Sequence, residues 1–334
     1  MNVAIVGLGY WGANLVRNFN SLTSCRIKYL CDLTVDRFAP YRVNFPQVIC
    51  TLNFQEILND KEVDAVVIAT PVFSHFQLAI QSLEAGKHVL IEKPITATVD
   101  EAKKLIDESI KRNKVLMVDH TFLYTGAVMK MKDLVSNNVI GKIRYLDSTR
   151  INLGLFQADI NVLWDLAPHD ISILNYLVDD KPHSVNATGI SHTRNGLENI
   201  AYLTVNYSSG FIAHFNCSWT SPVKIRTMLI GGDKKMMVFN DLDPTEKIRV
   251  YDSGFEYKTE EERRKILVDY RTGDVFIPKI SSKEALGSMA EDFVNSVRNN
   301  CSPISDCYSG LKVVTILEAA QKSLKTNGKE ILLI

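Results

Sequence analysis

Short apolar runs alternate with helix-like stretches along the first third of the chain. The runs are NVAIV, IKYLC, AVVIAT, HVLIEK and VLMVDH, and amphipathic segments such as Trp11–Phe19, FQLAIQSLEAG and DEAKKLIDESIKRN lie between them. Continuous apolar strands separated by amphipathic helices are typical of a parallel sheet that is covered on both faces. The pattern predicts an α/β, doubly wound Rossmann domain over residues 1–121, with a polar loop after IKYLC.

The hydrophobic pattern changes to strict alternation after Gly141. Segments such as KIRYLDSTRIN, HSVNATGIS, NIAYLTVNYSS, FIAHFNCSWT and KKMMVFN alternate apolar and polar residues, and glycine-bearing turns separate several of them. Period-two segments of this kind predict a large, mostly antiparallel open sheet. Helical spacing predicts helices in AVMKMKDLVSNN, after Asp165, and in two stretches near the end. We therefore predict a second, α+β domain over residues 122–334, in which EYKTEEERRK forms a solvated loop or helix face.

Composition restricts the classes of function. The chain has 334 residues, of which 46% are hydrophobic and 23% are charged, as in ordinary soluble proteins. Lysine plus arginine and aspartate plus glutamate each number 38, so no net field favours nucleic acid or an anionic membrane. The six cysteines show neither CxxC nor zinc spacing, which predicts free thiols, no metal and a reducing, cytoplasmic compartment. No signal-like or membrane-spanning segment is expected.

The stretch GLGYWG has the spacing of a dinucleotide-binding loop. Gly7, Gly9 and Gly12 follow an apolar strand and open a predicted helix, where they allow a tight turn, close approach of a pyrophosphate and close strand–helix packing. Asp32 ends the next strand, 25 residues after Gly7, where its carboxylate can bind the ribose hydroxyls. Asp32 would repel a 2′-phosphate and so favours NAD over NADP, although Arg37 could receive that phosphate or simply be solvated.

Two more strand ends carry polar groups where such a sheet binds its ligand. AVVIAT ends at Thr70 and Pro71, with His75 beyond, and HVLIEK ends at Glu92 and Lys93. A lysine at the end of a buried apolar strand is costly unless its ammonium has a partner or a function. The alternative is a lysine that reaches solvent.

The stretch WDLAPHD offers an acid and a base. Asp165 and His169 are four residues apart, so on a helix they project from one face, and the carboxylate could orient an imidazole that exchanges a proton with a substrate hydroxyl. Pro168 predicts that the helix begins close by, with Asp165 near the cap. The alternative is a capping aspartate beside a core histidine.

Taken together, VGLGYWG, Asp32, ATP with His75, EKP and a later DxxxHD before a large antiparallel sheet resemble the Gfo/Idh/MocA family of nicotinamide-dependent oxidoreductases. The resemblance spans the whole chain. It implies a Rossmann domain that binds NAD(P) and a C-terminal sheet that carries substrate and oligomer contacts, in a homodimer or homotetramer. The cofactor residues that it implies are Gly7, Gly9, Tyr10, Trp11, Gly12, Asp32, Arg37, Thr70, Pro71, His75, Glu92 and Lys93.

The resemblance also implies a catalytic group made of Lys93, Asp165 and His169. Lys93 would hydrogen-bond the reacting hydroxyl, His169 would serve as general base in oxidation, and Asp165 would bind substrate or orient His169. Which of Lys93 and His169 takes the proton stays open. The chain has INVLW where the family commonly has a glycine cluster before this aspartate, which affects the shape of the sugar pocket.

The chain is also similar to a subgroup of this family that acts on nucleotide sugars. This closer resemblance rests on the stretches VDHTFLYTGAVMKMK, STRINLGLFQADINVLWDLAPHDISIL and SWTSPVKIRTMLIGGDKKMMVFNDL. The subgroup oxidises the 3-hydroxyl of UDP-N-acetylglucosamine or its uronic acid, which prepares a 3-keto sugar for transamination in amino-sugar and lipopolysaccharide or other cell-surface polysaccharide biosynthesis. Alternatives are a free sugar or an inositol as substrate, or a non-catalytic dinucleotide-binding regulator. The candidate substrate contacts are His120, Tyr124, Arg150, Asn152, Asp165, His169, Lys224 and Arg226. For Arg150, Asn152, Lys224 and Arg226 the alternative is an exposed position at a sheet edge or turn, and for His120 and Tyr124 it is packing at the hinge between the domains.

Overall fold

The computed structural model describes residues 1–154, 156–157, 159–256 and 269–333, which form two compact units. The first unit comprises Met1–Thr125 and Lys283–Thr315, and the second comprises Gly126–Ser282 and Ile316–Ile334. The polar stretch EYKTEEERRK lies, apart from its first residue, outside the described residues.

The first unit contains a six-stranded sheet in the order β3-β2-β1-β4-β5-β6, and every neighbouring pair is parallel. β4 is apolar and buried throughout, and so is the middle of β5, as the sequence pattern predicts for a sheet covered on both faces. This is the predicted doubly wound Rossmann sheet. Its strands are β1 (Asn2–Val6), β2 (Arg26–Cys31), β3 (Ile49–Thr51), β4 (Ala65–Ile68), β5 (His88–Glu92) and β6 (Leu116–Asp119).

Helices connect these strands and supply the apolar faces that cover them. In α5, for example, Thr98 caps the N-terminus by accepting from the Glu101 N–H, and Asp100 and Glu101 lie in the first turn, where they favour the helix dipole. The α-helices of this part of the chain are α1 (Tyr10–Ser21), α2 (Ala39–Asn44), α3 (Phe54–Asn59), α4 (His75–Glu84) and α5 (Val99–Lys111). Short 3₁₀ helices span Val35–Phe38, Val72–Ser74 and Thr121–Tyr124.

A segment from the far end of the sequence completes the first unit. Helix α8 (Ala285–Asn299) packs on α1, where the Phe293 ring meets Phe19 edge-on with centroids 6.3 Å apart. Arg17 of α1 donates two hydrogen bonds to Glu284, directly before α8. The observed division therefore differs from the predicted one at 121/122, because residues 283–315 belong with the first unit. The apolar face of α1 needs α8 as a partner, and a linear reading of the sequence does not show this.

The second unit contains a nine-stranded sheet in the order β14-β13-β12-β11-β7-β10-β9-β8-β15. All neighbours are antiparallel except β7 and β10, which are parallel. The predicted open, mostly antiparallel sheet is therefore confirmed. Its strands are β7 (Ile143–Leu153), β8 (Pro182–Ile190), β9 (Ile200–Tyr207), β10 (Ile212–Ser218), β11 (Thr220–Gly232), β12 (Met236–Asn240), β13 (Ile248–Glu256), β14 (Asp269–Phe276) and β15 (Ile331–Leu332).

One face of this sheet is covered by helix. Helix α7 (Val162–Leu177) packs on β7, β9 and β10, whose inward residues, such as Phe215 and Leu203, are fully buried. The other helices of the second part of the chain are α6 (Gly126–Ser136) and α9 (Cys307–Lys325), and α9 runs from the first unit into the second.

Two local predictions are wrong. The segment after IKYLC is not a simple polar loop, because it contains a 3₁₀ helix, α2, the edge strand β3 and α3. Helix α7 begins at Val162, where Asn161 caps it by accepting a hydrogen bond from the Trp164 N–H, so Asp165 lies in the first turn as predicted but Pro168 does not. Pro168 consequently lies inside the helix. No helix of the described ranges is long and apolar enough to cross a membrane.

Candidate active site

The glycine loop lies between β1 and α1 and leaves no room for side chains at two positions. Gly7 has φ of +91°, and a Cβ there would lie 2.6 Å from the Ala69 carbonyl oxygen. A Cβ on Gly12 would lie 1.9 Å from the Gly7 carbonyl oxygen. Among the described residues, no side chain caps α1 and no acidic residue occupies its first turn. The N–H groups at this helix start are thus suited to an anionic phosphate.

Asp32 is held rigidly at the carboxyl end of β2. Its Oδ2 accepts from the Leu8 N–H at 2.7 Å, and its Oδ1 accepts from the Thr34 N–H at 2.9 Å. The first of these bonds ties the carboxylate directly to the glycine loop. Arg37 lies beside it, with Nη1 3.5 Å from Asp32 Oδ2 and 3.2 Å from the position of a Cβ on Gly9. The structure therefore brings together Asp32, Arg37 and the loop, as a ribose and phosphate site requires.

Two aromatic rings flank the start of α1. Tyr10 is 79% exposed and Trp11 is 42% exposed, and the two rings meet edge-on with centroids 5.3 Å apart. Aromatic rings exposed at the start of α1 are available to contact a ligand on the loop. Their predicted contact with the cofactor stays a prediction.

His75 connects two strand-end turns. Its Nδ1 lies 2.9 Å from the Pro94 carbonyl oxygen and its Nε2 lies 2.8 Å from the Thr70 carbonyl oxygen, and the ring is buried. Burial lowers the pKa of this imidazole, so the neutral ring donates to one of the two carbonyls. Thr70 also receives the Ser74 hydroxyl at 2.7 Å. His75 supports the geometry of both turns, and its predicted contact with cofactor is not tested by this arrangement.

Glu92, at the end of β5, faces a second carboxyl group that sequence reasoning missed. Asp119 ends β6 in register with Glu92, and both are buried. Glu92 Oε2 accepts from the Lys93 N–H, and Asp119 Oδ1 accepts from the Thr121 hydroxyl. Their other oxygens, Glu92 Oε1 and Asp119 Oδ2, find no further hydrogen-bond donor among the described residues.

Two neighbouring carboxyl groups in a buried site disfavour each other's ionisation. Burial, followed by the nearby charge of Asp119, raises the pKa of Glu92 well above its ordinary value. Burial likewise raises the pKa of Asp119 to about 6, against the lowering effect of its hydrogen bond with the Thr121 hydroxyl. Both shifts favour the protonated forms of the two carboxyl groups, directly beside Lys93. Asp119 was detectable in principle, since it ends an apolar strand as Asp32 and Glu92 do.

His120 and Tyr124 are both buried inside the first unit. Neither ring nitrogen of His120 has a hydrogen-bond partner among the described residues, and burial, with the charge of Lys93, lowers its pKa to about 3. The Tyr124 hydroxyl donates to Asp292 Oδ2 at 2.7 Å and accepts from the Ser305 N–H. Burial raises the pKa of Tyr124. Tyr124 thus packs as the hinge alternative requires, and a role for it in substrate binding is not supported by its contacts.

Asp165 lies in the first turn of α7, one helical turn before His169. The two side chains share a helix face because they are four residues apart, as predicted. The indole N–H of Trp219, a residue between β10 and β11 that sequence reasoning missed, donates to Asp165 Oδ2 at 3.0 Å. The carboxylate is therefore fixed by a second element of the sheet.

Arg150 of β7 is 4% exposed and faces α7. Its Nε and Nη2 donate to the two carboxylate oxygens of Asp170 at 2.9 and 2.6 Å. This bidentate pair fixes α7, and with it the neighbouring His169, on the sheet. The Arg150 guanidinium, which was predicted to contact substrate, is therefore already hydrogen-bonded to Asp170.

Three other predicted substrate residues lie on β7 and on its neighbour β11. Asn152 is half-buried near the end of β7, and its side-chain amide lies 3.0 Å from where a Cβ on Gly154 would stand. Lys224 is exposed on β11, and Arg226 makes a partly exposed ion pair with Asp241 at 3.3 Å. Only Asn152 and Lys224 keep polar groups available in the described contacts.

No group of three or more histidine, cysteine, aspartate or glutamate side chains in the described ranges is arranged to hold a metal ion. The described cysteines are free thiols.

Comparison with known proteins places these features in a family. Residues 1–120 match the oxidoreductase family Gfo/Idh/MocA with its NAD-binding Rossmann fold, and residues 128–238 match the Gfo/Idh/MocA C-terminal domain. A UDP-N-acetylglucosamine 3-dehydrogenase from Acidithiobacillus ferrooxidans is 26% identical over 323 residues, which cover 94% of each chain. A myo-inositol 2-dehydrogenase from Thermotoga maritima is 24% identical over 57% of this chain and 58% of its own.

Solved structures share the fold over nearly the whole length. The UDP-N-acetylglucosamine 3-dehydrogenase GnnA from Acidithiobacillus ferrooxidans superposes with a TM-score of 0.83 at 22% identity, covering 98% of both chains. GenD2 from gentamicin A biosynthesis, solved in complex with NAD, superposes with a TM-score of 0.83 at 19% identity, covering 100% of this chain and 96% of its own.

Proposed function

Because this chain belongs to the Gfo/Idh/MocA family of NAD-binding oxidoreductases, we propose that it oxidises the 3-hydroxyl of a UDP-sugar, best UDP-N-acetylglucosamine, to a 3-keto sugar. The observation that carries the substrate is the relative with that activity, which aligns over 94% of both chains. The ketone would serve a later transamination in amino-sugar and cell-surface polysaccharide or lipopolysaccharide biosynthesis. A cytoplasmic location would suit a nucleotide-sugar substrate.

The residues of the first unit fit NAD. The crowded Gly7 and Gly12 positions admit only glycine, the α1 N-terminus suits the pyrophosphate, and the fixed Asp32 carboxylate suits the ribose diol. Bound NAD supplies the hydride acceptor. Asp32 disfavours a 2′-phosphate, and the Arg37 guanidinium is already drawn toward that carboxylate. We therefore propose a preference for NAD over NADP.

Oxidation of a hydroxyl releases a hydride from carbon and a proton from oxygen, and the chain must receive the proton. We assign it to Lys93 or His169, with Asp165 orienting the imidazole or holding a sugar hydroxyl. Lys93 follows a buried strand and adjoins the buried carboxyl pair of Glu92 and Asp119. Separate Lys93→Ala and His169→Ala variants distinguish the two assignments. The variant that lacks the base should regain oxidation as pH rises, because hydroxide or water then takes the proton.

Oligomerisation is the second part of the proposal. The face of the nine-stranded sheet opposite α7 carries exposed apolar residues on four adjacent strands: Tyr145, Tyr202, Ile212 and Leu229. Exposed apolar residues on neighbouring strands of one sheet face favour burial against a second copy, in a homodimer or homotetramer. Light scattering of Ile212→Lys/Leu229→Lys protein should show a smaller species than the parent protein.

The decisive experiment is NADH formation with NAD and a panel of UDP-sugars, coupled to an aminotransferase and an amino donor that remove the ketone. Turnover with UDP-N-acetylglucosamine alone supports the proposal. Turnover only with the uronic acid would identify that sugar, one pathway step away, as the substrate. Turnover only with free sugars or inositols would favour an activity like that of the Thermotoga relative. NAD binding without any turnover across the panel would favour the regulatory alternative.

A further inference from the structure

Trp219 is unusual among the large side chains of the second unit. It is 1% exposed, yet its ring carries one hydrogen-bond donor that must be satisfied in a buried site. That donor points at Asp165 Oδ2, 3.0 Å away, on a different element of the fold. A hydrogen bond from a buried donor to a carboxylate is charge-assisted and directional, so it restricts the rotation of the Asp165 side chain.

The Trp219 ring is held in place from three sides. Its backbone N–H donates to the Asn199 carbonyl at 2.9 Å, and its carbonyl accepts from the Gly154 N–H at 3.0 Å. The Phe156 ring packs against the indole with centroids 5.6 Å apart. The Trp219 backbone is therefore fixed at two points, and the indole cannot turn away from the carboxylate without losing its contact with the Phe156 ring.

The same short loop also fixes the helix that carries Asp165. Glu198, next to Asn199, accepts from the Val162 N–H through its carbonyl and from the Asn161 side-chain amide through its carboxylate. Asn161 in turn caps α7. One dipeptide, Glu198-Asn199, thus locates both the first turn of α7 and the backbone of Trp219. The distance between the indole N–H and Asp165 is set by this common support.

From this geometry we propose that Trp219 is the positioning residue of the active site: its indole N–H sets the orientation in which the Asp165 carboxylate meets a hydroxyl of the sugar or the imidazole of His169. The inference rests on the proposed function, since it assigns a support to one of the proposed catalytic groups. It predicts that the ring volume of Trp219 serves the core, whereas the N–H serves the reaction.

A double-mutant cycle separates these two roles. Trp219→Phe keeps an aromatic ring and removes the donor, and Asp165→Asn keeps the shape of the acceptor and removes its charge. We expect Trp219→Phe to lower kcat/KM for the UDP-sugar by about 10-fold to 100-fold, the range for loss of a hydrogen bond to a charged group. In the Asp165→Asn background the same change should cost less than about 3-fold. Full additivity of the two effects would overturn the proposal, because a purely structural role acts independently of the charge at residue 165.

Trp164→Phe is the matched control. It makes the same chemical change in α7, at the residue next to Asp165, on a ring whose N–H donates no hydrogen bond within the described part of the chain. Its kcat/KM should stay within about 2-fold of the parent. The Kd of NAD, measured by calorimetry, should be the same in all variants, because the loop that binds NAD lies in the other unit.

A spectroscopic test does not depend on turnover. The chain has three tryptophans, so ¹⁵N-labelled protein gives three indole N–H signals, which Trp→Phe variants assign. Asp165→Ala should move the Trp219 signal most and speed its hydrogen exchange, while the Trp11 signal stays in place. If no UDP-sugar is oxidised, the proposed function is wrong, but this test still shows whether the Trp219 indole hydrogen-bonds to Asp165. An unmoved Trp219 signal would overturn the inference in an active enzyme as well.

Discussion

The buried pair of Arg150 and Asp170 allows a quantitative prediction about stability. Both side chains are about 5% exposed or less, and two hydrogen bonds of 2.9 and 2.6 Å join them. Arg150→Met fills a similar length with apolar atoms but leaves the Asp170 carboxylate buried without its cation. Removal of one partner from a buried ion pair costs about 3–5 kcal/mol of unfolding free energy. We expect the second unit of this variant to lose stability by that amount.

Replacement of both partners should recover most of the loss. In Arg150→Met/Asp170→Leu no charge is left in the core, and apolar replacements of whole buried pairs are often neutral or stabilising. Arg226→Met is the control, because its partner Asp241 is 3.3 Å away and the arginine side chain is 33% exposed. An ion pair of that exposure contributes about 0–1 kcal/mol.

Urea unfolding, followed by tryptophan fluorescence in a Trp11→Phe background, measures these effects. The remaining probes, Trp164 and Trp219, both belong to the second unit. If Arg150→Met costs no more than Arg226→Met, the argument from burial is refuted. If the stable double variant instead shows a KM for the UDP-sugar raised by more than about 10-fold, Arg150 contacts substrate, as the sequence suggested, and its role in the ion pair is secondary.

Three further predictions concern the first unit. Lys93→Ala should abolish NADH formation and spare NAD binding by calorimetry, whereas near-normal turnover would remove Lys93 from the reaction. Asp32→Ala should weaken NAD affinity and reduce the selectivity against NADP, which parallel titrations measure; unchanged NAD affinity would remove Asp32 from the ribose site. The raised pKa of Asp119 means that the folded chain holds a proton that the unfolded chain releases, so this stabilisation is complete below about pH 4 and is lost as pH rises through about 6. A change from 3.8 to about 6 corresponds to about 3 kcal/mol, and Asp119→Asn should remove that dependence in urea unfolding at several pH values; parallel curves for parent and variant would contradict the assignment.

Much of the first unit follows directly from local sequence. Each apolar run forms a parallel strand. The glycine loop and Asp32 lie next to each other as predicted, because they follow β1 and β2, which are neighbours both in the chain and in the sheet. The predicted NAD-binding domain and the predicted open second sheet are both confirmed, because each is visible in local patterns of apolar and polar residues. The start of α7 was misplaced because Pro168 gave a stronger local signal than the Asn161 cap.

The contacts that support the candidate site could not be derived in the same way. Glu92 meets Asp119 only because β5 and β6 pair in one register, and Arg150 meets Asp170 only because β7 lies under α7. Trp219 reaches Asp165 across 54 positions of sequence. Such contacts depend on the pairing of distant segments, and a single sequence gives no periodicity from which to derive them.

The discontinuous first unit has a consequence for synthesis. Its core includes the contact of Phe19 with Phe293 and the hydrogen bond of Tyr124 with Asp292, so both ends of the chain are needed to complete it. A nascent chain that has left the ribosome as far as Thr125 still lacks α8, and eight of the nine strands of the second sheet, β7 to β14, are made before that helix appears. The cofactor domain therefore begins to fold first and finishes late, with the apolar face of α1 exposed for most of translation. A shorter fragment that is meant to bind NAD should join residue 125 to residue 283 through a linker, because a cut after the last Rossmann strand omits a part of the core.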